Sequence, residues 1–229
     1  MLVSGAVWLL LSHVAAHSLA QRNFSSMLEQ QANRTMELSE WEQRWQQHRT
    51  GFHQLEVHKL ADLGHSVVGV EISEMAIRQF FQENNLTYNE ESVPSIPGAK
   101  LFQNTEKSIS LYQCDLFSFS SSVAGQFGAI WDRGSLVAIN PKDRDRYAAL
   151  ILSLMAADCR YLLDTFLYNP DLYEGPPFFV PDEQVLGLFG SSCTVELLQS
   201  EEALNDKWRN WGLDSMIENV HLITLKAPK

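Results

Sequence analysis

Three polar groups in this sequence stand at the ends of apolar runs. Glu71 closes Val67-Val68-Gly69-Val70, Asp115 follows the run from Ile109 to Cys114, and the pair Asp132-Arg133 closes FGAIW. A carboxylate at the C-terminal end of a buried strand is how doubly wound α/β folds hold the ribose hydroxyls of an adenine nucleoside, and ligands of such sheets lie beyond those strand ends. Read by itself, Glu71 is equally well a solvated strand end. Other chemistry lacks the residues it needs. There is no HExxH, GxSxG or P-loop and no Cys-His ligand spacing, so hydrolysis, metal catalysis and phosphoryl transfer have no support and no metal is expected. His53, His58, His65 and His221 are scattered and read as surface or packing side chains. A pocket for an adenosine-like group, with Arg133 near it, is what remains.

The elements that must position these groups can be read from periodicity and caps. GHSVVGVEIS, Gly64 to Ser73, is a short β-branched run suited to a parallel strand buried on both faces. Ser73 caps the helix that follows, Glu74 to Asn84, with Ala76, Ile77, Phe80 and Phe81 toward the sheet. Ser92 to Gly98, with two prolines, is loop. Further strands are expected at Ile109 to Tyr112, Phe127 to Asp132, Arg160 to Tyr168, Cys193 to Leu198 and Val220 to Leu225. Asn140 and Pro141 start a helix running through Met155, a stiff loop spans Asn169 to Pro181, and a short helix covers Glu183 to Phe189. Nearer the N-terminus, Ser39 and Glu42 form a capping box that sets Trp41 and Trp45 on one helical face, either as core or as a lid over a flat base. Strands alternating with helices, closed by two late strands, predict a three-layer α/β fold with a mostly parallel, Rossmann-like sheet.

Composition narrows the partners. At 229 residues with 45% hydrophobic residues the chain is of a size for one domain. A net charge of −11 and no basic run argue against nucleic acid and anionic membranes as partners. Cys114, Cys159 and Cys193 are odd in number and widely spaced, which fits a reducing, cytoplasmic location. Leu2 to Ala16 imitates the apolar part of a signal peptide, but no Lys or Arg precedes it, and secretion stands as the alternative. Residues 1–37 read as an N-terminal extension and 38–229 as the domain.

Longer segments carry a family resemblance. SEWEQRWQQHRTGFHQ, GHSVVGVEIS, ISLYQCDLF, IWDRGSLVAINPKDRDRYA, YLLDTFLYNPDLYEGPPFFVP and WRNWGLD occur in this order, and from Leu38 to about Lys226 the chain resembles thiopurine S-methyltransferase. The resemblance implies an S-adenosylmethionine-dependent methyltransferase fold, S-adenosylmethionine as methyl donor, and an aromatic or heterocyclic thiol as the small-molecule acceptor of a monomeric enzyme. It also implies roles. Trp41, Trp45 and Phe52 would cover the donor, Glu71 would take the ribose, and Asp115 and Leu116 the adenine. Arg133 would bind on the reaction side and act in catalysis, with Phe52 touching the acceptor as well. A guanidinium favours the anionic form of a nearby sulfur, and this is the role expected of Arg133.

The chain departs from that family in one place above all. Between the FHQ segment and GHSVV the family has a strand, a Pro-Leu-Cys-Gly turn and the start of a helix. Here Gln54 and Gly64 are separated by nine residues, LEVHKLADL, which read as one short helix stopped by Gly64. A strand, a turn and a helix do not fit into that length, since a crossover alone takes at least about 10–12 residues. The expected sheet therefore lacks its first strand, and the donor loses the backbone amides of a helix N-terminus. Lys207, where the family often carries an arginine, is a smaller departure. Two alternatives stay open: a catalytically dead truncated form, and a nicotinamide dehydrogenase, which lacks the G-x-G-x-x-G it would need before Gly64.

Overall fold

The structure, a computed structural model, describes residues 37, 39–40 and 57–227. Trp41, Trp45 and Phe52, and nearly all of the expected N-terminal extension, lie outside the described residues. Ser39 and Glu40 are helical, as expected of a helix that begins at Ser39, and the Glu40 carboxylate accepts from the Glu37 amide at 3.0 Å.

Helix α1 (Val57–Asp62) leads into strand β1 (Val67–Glu71). Gly64, at φ +88°, lets the chain turn out of the helix, and the amides of Gly64 and His65 return to the carbonyls of Ala61 and Leu60. Ser73 then caps α2 (Glu74–Glu83), its hydroxyl accepting from the Ala76 amide, and Ala76, Ile77 and Phe81 face inward as the periodicity requires. A hairpin follows, β2 (Tyr88–Ser92) with β3 (Lys100–Asn104), and then β4 (Ile109–Gln113). The second half runs through α3 (Ser121–Ala124), β5 (Phe127–Arg133), α4 (Arg144–Leu154), β6 (Met155–Leu167), α5 (Asp182–Phe189), β7 (Cys193–Glu202), α6 (Asp206–Asn210) and β8 (Ile217–Leu225). Among the described residues no helix is long and apolar enough to cross a membrane.

These strands form two four-stranded sheets, ordered β1-β4-β3-β2 and β5-β6-β8-β7. The α/β expectation holds, but the sheets are mixed rather than mostly parallel. Only β1–β4 and β5–β6 pair in parallel, and the remaining four ladders are antiparallel. The β2–β3 hairpin supplies part of that difference. Its outer strand YNEES is polar and exposed, so it carries no alternation to detect. Two features hold it instead. Arg78 and Lys100 each bridge Glu74 and Glu90 at 2.5–2.9 Å, and Tyr88 packs on Phe81 with ring centroids 4.5 Å apart.

Strand β6 is longer than expected at its start. The helix before it ends at Leu154, and Met155 is already extended and paired with Phe127, where buried aromatic and thioether side chains meet. The start of α4 also differs from the cap expected at Asn140, since Pro141–Asp143 first make a 3-10 turn.

No strand among the described residues joins β1 to β5, and each is the last strand of its sheet. The two sheets nevertheless share cores. Val70 of β1 and Ile130 of β5 lie in one buried cluster, and Trp131 packs against a second that contains Val67.

Candidate active site

The C-terminal ends of four strands meet in one region. Strands β1 and β4 run in register from Val67↔Ile109 to Glu71↔Gln113. Beyond them the Cys114 amide donates to the Glu71 carbonyl (3.1 Å) and Gln113 Nε2 to the Ile72 carbonyl (3.0 Å). Ile72 packs against Ala138 and Phe178, which follow β5 and β6, so the ends of both sheets converge there.

Glu71 is 6% exposed, and its Oε1 accepts from the Ser73 amide at 2.9 Å. The turn into α2 thus holds the carboxylate at the strand end. On the neighbouring strand, Asp115 is half-buried and its Oδ1 accepts from the Phe117 amide (3.0 Å), capping a 3-10 turn whose first residue, Leu116, is buried. The expected nucleoside-binding residues Glu71, Asp115 and Leu116 are therefore neighbours on adjacent strand ends.

Asp132 and Arg133, read together in the sequence, part company in the structure because successive strand residues face opposite sides. Asp132 is 1% exposed and turns into the core. Its carboxylate accepts from the hydroxyls of Tyr147 (2.5 Å) and Tyr161 (2.9 Å) and from the amides of Ser135 (2.8 Å) and Leu136 (3.2 Å). Gly134, at φ +110°, makes the sharp turn that brings those amides back. Burial pushes the Asp132 carboxyl up, and the two tyrosines and two amides pull against that shift. Asp132 organises the strand end and does not line it.

The Arg133 side chain is about a third exposed, with Nε 3.3 Å from Asp164 Oδ2 and 3.8 Å from Glu218 Oε1. Asp164 is in register with Arg133, and Glu218 is in register with Phe166, two residues further along the same face of β6. Burial, and then the Glu218 carboxylate, push the Asp164 carboxyl up to about 7, against the pull of Arg133. A carboxyl held above its ordinary value favours the fold in acid, and that contribution is lost as pH rises through about 7. Asp164→Asn should therefore raise the melting temperature at pH 8 more than at pH 5, measured by thermal denaturation. An equal change at both values would remove this burden from Asp164.

Sequence reasoning missed Asp164 and Glu218. The visible signal was Asp164 itself, a lone carboxylate inside the apolar run RYLLDTFLY. Lys207 lies on α6 with Nζ 5.1 Å from the ring centroids of both Trp208 and Trp211, and burial lowers its pKa. Arg144 is buried at the start of α4, where it donates to the Phe179 carbonyl and to Gln184, tying the Phe178–Phe179 loop to the helix. His221 is also buried, with Nε2 3.1 Å from Asp182, a packing position away from the strand ends.

The profile of the family described as Thiopurine S-methyltransferase (TPMT) matches residues 55–226. A probable thiopurine S-methyltransferase of Danio rerio is 54% identical, over 86% of this chain and 98% of that protein. A thiopurine S-methyltransferase of Bos taurus is 43% identical, over 86% and 94%. Among solved structures, a 1,6-didemethyltoxoflavin-N1-methyltransferase of Burkholderia thailandensis with S-adenosylhomocysteine aligns at 16% identity and a TM-score of 0.47, covering 75% of this chain and 67% of that one. The Danio rerio match spans 228 positions but takes in 86% of the 229 residues here, about 197, so about 30 of its positions have no counterpart. On the profile match and the identity to both relatives, the chain belongs to the thiopurine S-methyltransferase family of enzymes.

Proposed function

We propose that this chain transfers a methyl group from S-adenosylmethionine to aromatic or heterocyclic thiols, with donor binding weakened by the break between its two sheets. The observation that carries this reading is Glu71, buried at the end of β1 beside Asp115 and Leu116, in a chain of this family. A carboxylate there suits the ribose hydroxyls, and the capped turn at Asp115 suits the adenine edge, so the residues present fit the donor. When bound, S-adenosylmethionine would supply a methyl group activated by its sulfonium. The protein's part is to orient and to hold charge. Arg133 faces the acceptor and keeps its sulfur anionic, since an opposite charge nearby favours the ionised form. Close alignment does most of the remaining work. The three cysteines are buried and unbridged, and support cytoplasmic action.

Arg133→Ala, made in a chain carrying the restored segment, should lower turnover about 10–100-fold with little change in donor affinity. Turnover with a radiolabelled methyl donor and calorimetry of donor binding separate the two effects. Unchanged turnover would take Arg133 out of the mechanism. A second reading, a chain that no longer catalyses, is favoured by the separation of β1 from β5. In doubly wound sheets the first strand lies between the second and the fourth, which is the position left open here. Methyl transfer by the unaltered chain would exclude that reading.

A further inference from the structure

Phe178 joins the loop after β6 to the turn that holds Glu71. Its ring is fully buried, yet it belongs to neither of the two larger cores. It forms a small cluster with Ala138, and Ile72 is the partly buried side chain packed against that pair. Ile72 stands between Glu71 and Ser73, in the middle of the turn where the Ser73 amide donates to the Glu71 carboxylate. We propose that Phe178 is a positioning residue for the methyl donor: its ring sets where Ile72 sits, and through that turn aims the Glu71 carboxylate at the ribose. The proposal rests on the reading of Glu71 as the ribose-binding residue.

The ring is itself held in place by three further contacts. The Phe178 amide donates to the Val137 carbonyl at 2.6 Å, which fixes its backbone beside the segment that follows β5. Gly175, at φ +82°, comes so close that a Cβ there would stand 2.5 Å from the ring Cδ1, and any side chain at that position would displace the ring. The Arg144 guanidinium lies 5.8 Å from the ring centroid, within the range of a cation–π contact. Arg144 is 1% exposed, and its Nε and Nη2 have no hydrogen-bond partner among the described residues. A buried charge so poorly satisfied is costly, and the ring face offsets part of that cost. On the other side of Ile72, the polar contacts of the turn come from the first sheet: Cys114 donates to the Glu71 carbonyl and Gln113 to the Ile72 carbonyl. Phe178 adds a contact from the second half of the chain. A smaller side chain there would leave a void beside Ile72, and a side chain at a partly buried edge relaxes into such a void. Glu71 would move with it, and hydrogen bonds to a carboxylate weaken steeply once their geometry is lost.

Calorimetry of the full chain with S-adenosylhomocysteine and with its 2′-deoxy analogue tests this, because a carboxylate in this position takes the ribose 2′-hydroxyl. Phe178→Leu should weaken S-adenosylhomocysteine about tenfold, the order of one lost hydrogen bond to a charged group, and change the 2′-deoxy analogue little. Glu71→Gln should show the same split. In the double variant Phe178→Leu should add nothing to Glu71→Gln, since both act on one contact. Ile72→Ala removes the other side of the packing and should repeat the pattern, and it serves if Phe178→Leu folds poorly. Equal weakening of both ligands, no weakening of either, or an additive loss in the double variant would make Phe178 a packing residue alone. That result overturns the proposal while Glu71 keeps its place. If S-adenosylhomocysteine does not bind the unaltered chain, or Glu71→Gln leaves its affinity unchanged, the ribose reading of Glu71 falls and this proposal with it.

Discussion

Inserting into this chain, between Gln54 and Gly64, the strand and Pro-Leu-Cys-Gly turn that the family resemblance implies there should raise the melting temperature by about 10 °C or more and tighten donor binding at least tenfold. The physical ground is the pair of sheets. Among the described residues strands β1 and β5 each end a sheet, and their side chains enter shared cores, which is where unpaired strand edges would be costly. A buried backbone group left without a partner costs about 1–3 kcal/mol. A domain is stable by only about 5–15 kcal/mol, so a few such groups consume much of the margin. One inserted parallel strand would pair with both edges at once. For a chain of this size each kcal/mol shifts the melting temperature by about 2–4 °C, which gives the expected rise. The inserted turn would also return the backbone amides that approach the donor at a helix N-terminus. Thermal denaturation of both chains with and without donor is the comparison. Equal melting temperatures and equal stabilisation by the donor would show that the break costs nothing.

The second large effect is expected at Asp132. Asp132→Ala should leave the Tyr147 and Tyr161 hydroxyls and the Ser135 and Leu136 amides without their acceptor, all within a fully buried site. At about 1–3 kcal/mol for each lost partner, the sum reaches the stability of the whole domain. The variant should lack a cooperative unfolding transition by circular dichroism. Asp132→Asn keeps the shape but replaces one of the two accepting oxygens by an NH2 group, facing partners that all donate to the carboxylate here, and should also melt below the unaltered chain. A variant that unfolds at the original temperature would contradict the role given to this carboxylate. Arg133 is adjacent in sequence, yet its replacement should cost far less stability than that of Asp132, because its side chain is partly exposed on the opposite face.

The residues that made these arguments possible were unevenly legible. The β-branched run VVGVE, the Ser73 cap and the Gly64 stop are local signals, and the structure uses all three as expected. Glu71, Asp115 and Leu116 could be placed near strand ends from sequence because the apolar runs of β1 and β4 mark where those strands stop. The hairpin strand Tyr88–Ser92 could not, since ion pairs and one tyrosine hold it in place of an alternating apolar face. Asp132 was read as part of the site because its neighbour was. Only the three-dimensional turn at Gly134 reveals that its carboxylate points into the core. Asp164 and Glu218 come to lie beside Arg133 through strand register between β5, β6 and β8, a long-range property that no local window contains.

Titration of the chain with S-adenosylmethionine by calorimetry tests the central claim most directly, that the strand ends around Glu71 still form a donor site despite the break beside them. The account predicts saturable binding at one site, at least tenfold weaker than binding to the Danio rerio relative, and abolished by Glu71→Ala. No saturable binding at millimolar donor, or an affinity that Glu71→Ala leaves unchanged, would contradict it.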